Sequence, residues 1–154
     1  MRFIPTSATL ALTLFALAAA PAVAQDWPQF RGPTGDGCAV AKNLPERWGG
    51  FDAPAWQTEI PGSGWSSPIV VAGRIWLTSA QQTALDEKGR EKKLTANPVL
   101  TPDFQTHASA TLLAIELDVG TGKILRTLNL LTADDPKPIH AQNTYASPTS
   151  VSDG

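Results

Sequence analysis

Apolar and polar positions alternate with a period of two in separate parts of the chain. Leu113, Ile115 and Leu117 interleave with Ala114 and Glu116, so residues 111–118 predict a half-buried strand. Gly120 and Gly122 follow too soon for the competing helix to run beyond two turns. Residues 124–130 continue the β-rich pattern, and Val119-Gly120-Thr121-Gly122-Lys123 joins the two runs as a hairpin turn. An earlier hairpin is expected over residues 69–78, where two β-branched and aromatic runs flank Ala72-Gly73. Pro68 stands at its start, where a missing N–H does least harm. Residues 55–60 predict one more strand, with Trp56, Thr58 and Ile60 on one face.

The segments around these strands differ in character. Residues 26–64 are crowded with Trp, Pro and Gly, which forbid a long helix and call for extended chain and turns. Residues 80–107 form a long excursion between the hairpins. Its mixed-charge stretch, Asp86-Glu87-Lys88-Gly89-Arg90-Glu91-Lys92-Lys93, predicts a solvated loop or a small hairpin. The first 24 residues read as a cleavable secretory leader: Arg2, an Ala/Leu/Phe run, then Ala22-Val23-Ala24 as the cleavage site. Cleavage is expected after Ala24, which sends the mature chain to the periplasm or the medium. The apolar run is short for a membrane span of about 20 residues, and no transmembrane helix is expected in the mature chain.

Trp65-Ser66-Ser67-Pro68 recurs 80 positions later as Tyr145-Ala146-Ser147-Pro148. Each copy is aromatic, small, Ser, Pro, and each is followed by residues that predict a short strand and a turn pair. The second turn pair, Asp153-Gly154, has no partner strand after it, which predicts a longer reading frame with further repeats. Two hairpins per repeat amount to four antiparallel strands, the content of one propeller blade. The organisation expected is a leader over 1–24, a Trp/Pro/Gly-rich segment over 25–64, and a repeat region over 65–154. The fold class is all-β.

Composition narrows the chemistry more than it supplies any. Twelve Lys and Arg against 14 Asp and Glu give a net charge of -2, which argues against nucleic acid as a partner. The single cysteine, Cys38, makes neither an internal disulfide nor a Cys-rich zinc site. Gly120-Thr121-Gly122-Lys123 fails as a phosphate loop, because Leu117 and Ile124 stand where Gly and Ser/Thr are required. Gly64-Trp65-Ser66-Ser67-Pro68 lacks the final Gly of a nucleophile elbow. His107 and His140 have no second ligand nearby in sequence, and Asp134-Asp135 lies in no calcium loop.

Four motifs, in order, resemble the PQQ-like β-propeller repeat proteins of the bacterial envelope. Asp26-Trp27-Pro28-Gln29-Phe30-Arg31-Gly32-Pro33 is similar to the opening of mature members, and residues 56–68 to the lead into their first blade. Leu113-Ala114-Ile115-Glu116-Leu117-Asp118 with Thr121-Gly122-Lys123 resembles the hairpin that closes each blade. Residues 138–148 resemble the lead into a second. One position departs: Arg126 stands where the family places a Trp that packs between blades, and Trp56 looks like that Trp. The resemblance implies a partial β-propeller of one to two four-stranded blades, with residues 55–60 as the ring-closing strand. It further implies an extracytoplasmic binding or scaffold module with a protein or cell-envelope partner and no catalytic residues or cofactor of its own. Its alternative is a quinone (PQQ)-dependent oxidoreductase with calcium and a vicinal cysteine pair, which Cys38 followed by Ala39 does not make; a carbohydrate-active or sugar-oxidising secreted propeller is a third reading. Trp65, His140, Asn143 and Tyr145, at or just before the inner strands, are the candidate channel or rim residues. Packing between blades and turn capping remain the competing roles for them.

Overall fold

A computed structural model describes residues 25–40, 54–101 and 103–153. The leader lies outside them, as does the middle of the Trp/Pro/Gly-rich segment. The elements in chain order are β1 (Ile69–Val71), β2 (Arg74–Ala84), α1 (Glu87–Thr95), β3 (Phe104–Gln105), β4 (His107–Asp118), β5 (Ile124–Asp134) and β6 (Ile139–His140). The chain is mostly β, and its strands pair antiparallel. One sheet has the order β1-β2-β4-β5, an up-and-down meander that the excursion interrupts but does not reorder; β3 and β6 form a second, two-stranded sheet.

Both hairpins lie where the alternation places them. In the first, Ala72 and Gly73 take φ of 49° and 73°, the left-handed turn that suits the twist of the flanking strands. In the second, Asp118 organises the turn: its Oδ1 accepts from Thr121 N at 3.0 Å and Thr121 Oγ1 at 2.8 Å. Register then sorts the side chains. Ile75 faces Leu117 and Leu77 faces Ile115 across β2 and β4, and Leu117 faces Ile124 across β4 and β5. Leu113, Ile115 and Leu117 are the buried cluster, with Ile60, Ile75, Leu77 and Ile124 packed against it. Each of the three fully buried side chains contributes roughly 1.5–3 kcal/mol.

Four expectations need correction. Residues 55–60 do not join a ladder. They run extended with Trp56, Thr58 and Ile60 turned inward and Gln57 and Glu59 out, as the alternation predicts. Their long-range hydrogen bonds come from side chains instead: Trp56 Nε1 donates to Val119 O at 3.1 Å and Thr58 Oγ1 to Gly122 O at 2.6 Å. The excursion is also shorter than residues 80–107, because β2 and β4 stay paired to Ala84 and His107. Its charged stretch is a helix rather than a loop or hairpin. Asp86 caps α1 by accepting from Gly89 N at 2.8 Å, Glu87 lies in the first turn, and Lys92 and Lys93 lie in the last. The helix buries no residue, so its solvated character is as expected. Finally, the short strand expected after Pro148 is absent, and residues 149–153 join no ladder. Ser152 N donates instead to Pro28 O at 2.9 Å.

The two repeat copies meet. Trp65 N and Ser66 N both donate to Ala146 O at 3.1 Å, and Ser67 N donates to Thr149 Oγ1 at 2.9 Å. Gly64 permits the approach, since a Cβ there would lie 2.7 Å from Thr78 O and 3.3 Å from Ala146 O. Among the described residues, no helix is long and apolar enough to cross a membrane.

Candidate functional site

Three of the four candidate rim residues share one loop, residues 139–148. His140 pairs with Phe104 in the β3–β6 register, its ring edge-on to the phenyl at a centroid distance of 5.6 Å. Its Nδ1 accepts from Gln142 N at 3.1 Å. Asn143 Oδ1 accepts from Thr144 N at 2.9 Å and Ser147 Oγ at 2.5 Å, and so caps the next turn. Tyr145 donates its hydroxyl to Lys137 O at 2.8 Å and sets its ring edge-on to His107, 5.6 Å away. Burial pushes the phenol upward from its ordinary pKa of 10.0. Trp65 joins the loop through its backbone bond to Ala146, while the residue as a whole stays 59% exposed. Trp65 and Tyr145 therefore lie beside the contact of the repeat copies, whereas His140 belongs to the separate β3–β6 pair and Asn143 to the turn that follows it. His140 and Asn143 also hold turns.

Sequence reading missed a second feature, on the sheet face opposite the aliphatic core. Register lines up Trp76, Glu116 and Arg126 across β2, β4 and β5, with Arg74 and Asp118 in the next row. The Glu116 side chain is only 8% exposed and lies between two guanidinium groups, Arg126 Nε in direct contact and Arg74 Nε at 3.7 Å. Arg74 also reaches Asp118 at 3.0 Å, and Arg126 lies 5.3 Å over the Trp76 ring. The Asp118 carboxyl is held below its ordinary 3.8, first by the Thr121 hydroxyl, then by the Thr121 amide, with Arg74 adding to it. A carboxylate as buried as that of Glu116 needs such compensation.

A groove of about 510 Å³ opens beside this row, between Trp76, Arg74 and Ile69 on the sheet and Ser150 to Ser152 opposite. An aromatic ring, aliphatic walls and a charge pair suit binding rather than bond-making. Among the described residues, no three of His, Cys, Asp and Glu converge to hold a metal ion. Cys38 is free and exposed on the N-terminal segment. One signal for this row was available in sequence, the Arg at position 126. Its partner was not, because a bulge between Glu116 and Leu117 shifts the register.

The chain matches no family model, and comparison with curated proteins and with solved structures finds no match to either.

Proposed function

We propose that residues 65–153 comprise a PQQ-like propeller blade and the lead into a second, and that the protein is an extracytoplasmic binding or scaffold module. The observation that carries this reading is the contact between the repeat copies. Segments 80 residues apart in sequence lie side by side, joined through Trp65, Ser66 and Ala146, beside a four-stranded meander. Radial repeat folds build themselves in this way, each unit burying its face against the next. On this reading residues 55–60, which join no ladder among the described residues, are the segment that a last blade would pair with to close the ring, and Trp56 seats on the Gly122 turn. Arg126, where the family carries its Trp, covers Trp76 with a guanidinium plane in place of an indole. The border formed by Trp65 and the 139–148 loop is then the rim, and its ligand is a protein of the cell envelope.

Photo-crosslinking in a bacterial host that exports the chain tests the proposal. A photoreactive residue in place of Trp65 is expected to give discrete adducts with envelope proteins, whereas one in place of Lys88 on α1 is expected to give none. Equal labelling from both positions would remove the case for a rim. The same protein titrated calorimetrically with PQQ, with and without calcium, is expected to give no saturable heat; micromolar binding would favour the oxidoreductase.

A further inference from the structure

The meeting point of four chain segments lies at His107, the first residue of β4. The Lys93 ammonium comes from α1 and bonds His107 O at 3.4 Å, Asp135 Oδ1 at 2.7 Å and Pro136 O at 2.7 Å. Tyr145 comes from the second repeat copy and sets its ring against the imidazole. On the sheet, the residue opposite is Ala84, which offers no polar side chain. His107 Nδ1 is buried there without a hydrogen-bond partner. A neutral imidazole with its proton on Nε2 tolerates that position; an imidazolium does not, because its Nδ1–H has no acceptor.

We propose that His107 is an acid-sensitive latch that holds the 139–148 loop, with His140, Asn143 and Tyr145, in place while neutral and releases it when protonated. The charged groups around it act in one direction. Lys93 opposes a second cation, and the counter-charge beside it, Asp135, is already engaged by the lysine and is largely exposed. The Tyr145 ring offers the imidazolium a cation–π contact at most. Burial first, then Lys93, holds the imidazole below its ordinary 6.5. The folded state therefore resists the proton that the released state accepts at 6.5, and the latch weakens as pH falls from there towards the lower value. This inference goes beyond the propeller reading and does not depend on it, since the loop is gated whatever binds it.

Tyr145 is the chain's one tyrosine and His107 one of its two histidines, so NMR can follow both partners without ambiguity. With 3-fluorotyrosine incorporated, the single fluorine signal is expected to move on a one-proton curve as the pH is lowered from neutrality. Its midpoint should lie below 6.5 and coincide with that of the His107 ring protons. His107→Phe should flatten the fluorine curve and His140→Gln should leave it unchanged. A pH-invariant tyrosine signal, or a transition abolished by His140→Gln instead, would overturn the latch. Should the phenylalanine variant not fold, a His107 midpoint at or above 6.5 in the native chain would overturn it equally.

Discussion

At the scale of single residues, glycine and aspartate at the β4–β5 turn do more than punctuate the chain. Gly122 has φ of 69°, and a Cβ there would strike the Trp56 ring and lie 2.8 Å from Thr58 Oγ1. Gly122→Ala therefore combines left-handed strain with a clash, and is expected to cost about 2–4 kcal/mol by urea denaturation. Asp118 acts through charge as well as geometry. Its folded-state carboxyl titrates below 3.8, so its contribution to stability is full above that pH and is lost as pH falls through the lower folded value. The melting-temperature gap between the native chain and Asp118→Ala should accordingly be widest near neutrality and narrow in strong acid. A gap independent of pH would show that only the neutral hydrogen bonds matter. Arg126 is 58% exposed, so its pair with buried Glu116 is solvent-screened. A double-mutant cycle on the two is expected to return a coupling of about 1 kcal/mol.

At the scale of elements, β5 is the exposed edge of the four-stranded sheet. Leu125, Leu128, Leu130 and Leu131 are between 41% and 58% exposed, and Arg126 is the one basic residue of the strand. The strand carries two irregularities, opposite Leu112/Leu113 and Glu116/Leu117, which twist the edge and blunt it in part. An apolar edge of this length still favours self-association. Sedimentation of the Leu128→Lys, Leu131→Lys double variant is expected to show less association than the native chain, at unchanged far-UV circular dichroism. Equal association would place the sticky surface elsewhere. Helix α1 is the opposite case, an element that forms from capping and charge pattern without burying a side chain. A solvated charge run fixes exposure but not conformation. Asp86 followed three residues later by Gly89 N in reach is what selects the helix here.

At the scale of the whole molecule, the excursion tests how far the meander is independent of what interrupts it. β2 and β4 account for the most extensive strand contact and stay paired, with one register shift between Thr83 and Ala84, to Ala84 and His107, before residues 85–106 leave the sheet. Replacing 85–106 by Asn-Gly should preserve cooperative unfolding, because that pair favours a tight hairpin and shortens the loop to be closed. It removes Lys93 and β3, so the 139–148 loop should become more open to proteolysis in the same variant. Loss of cooperative unfolding would mean that the excursion is part of the sheet's support. Export is read at this scale too: intact mass of material from a bacterial host should correspond to a chain beginning at Gln25, and a mass that retains Met1 would remove the leader.

Alternation and turn chemistry act over a few residues, and so the sequence by itself determined the two hairpins, their faces and the inward side of Trp56, Thr58 and Ile60. It also marked the 139–148 loop, where the turn-capping roles of His140 and Asn143 were already in view. Only the tertiary structure decided how these pieces meet. β2 and β4 pair across 22 intervening residues, and a one-residue bulge moves Glu116 opposite Arg126; neither register has a local signal. The same holds for Ala146 against Trp65 and for Lys93 and Tyr145 around His107. Each depends on a long-range contact whose partners are individually ordinary in sequence, and whose energy exists only once the sheet has brought them together.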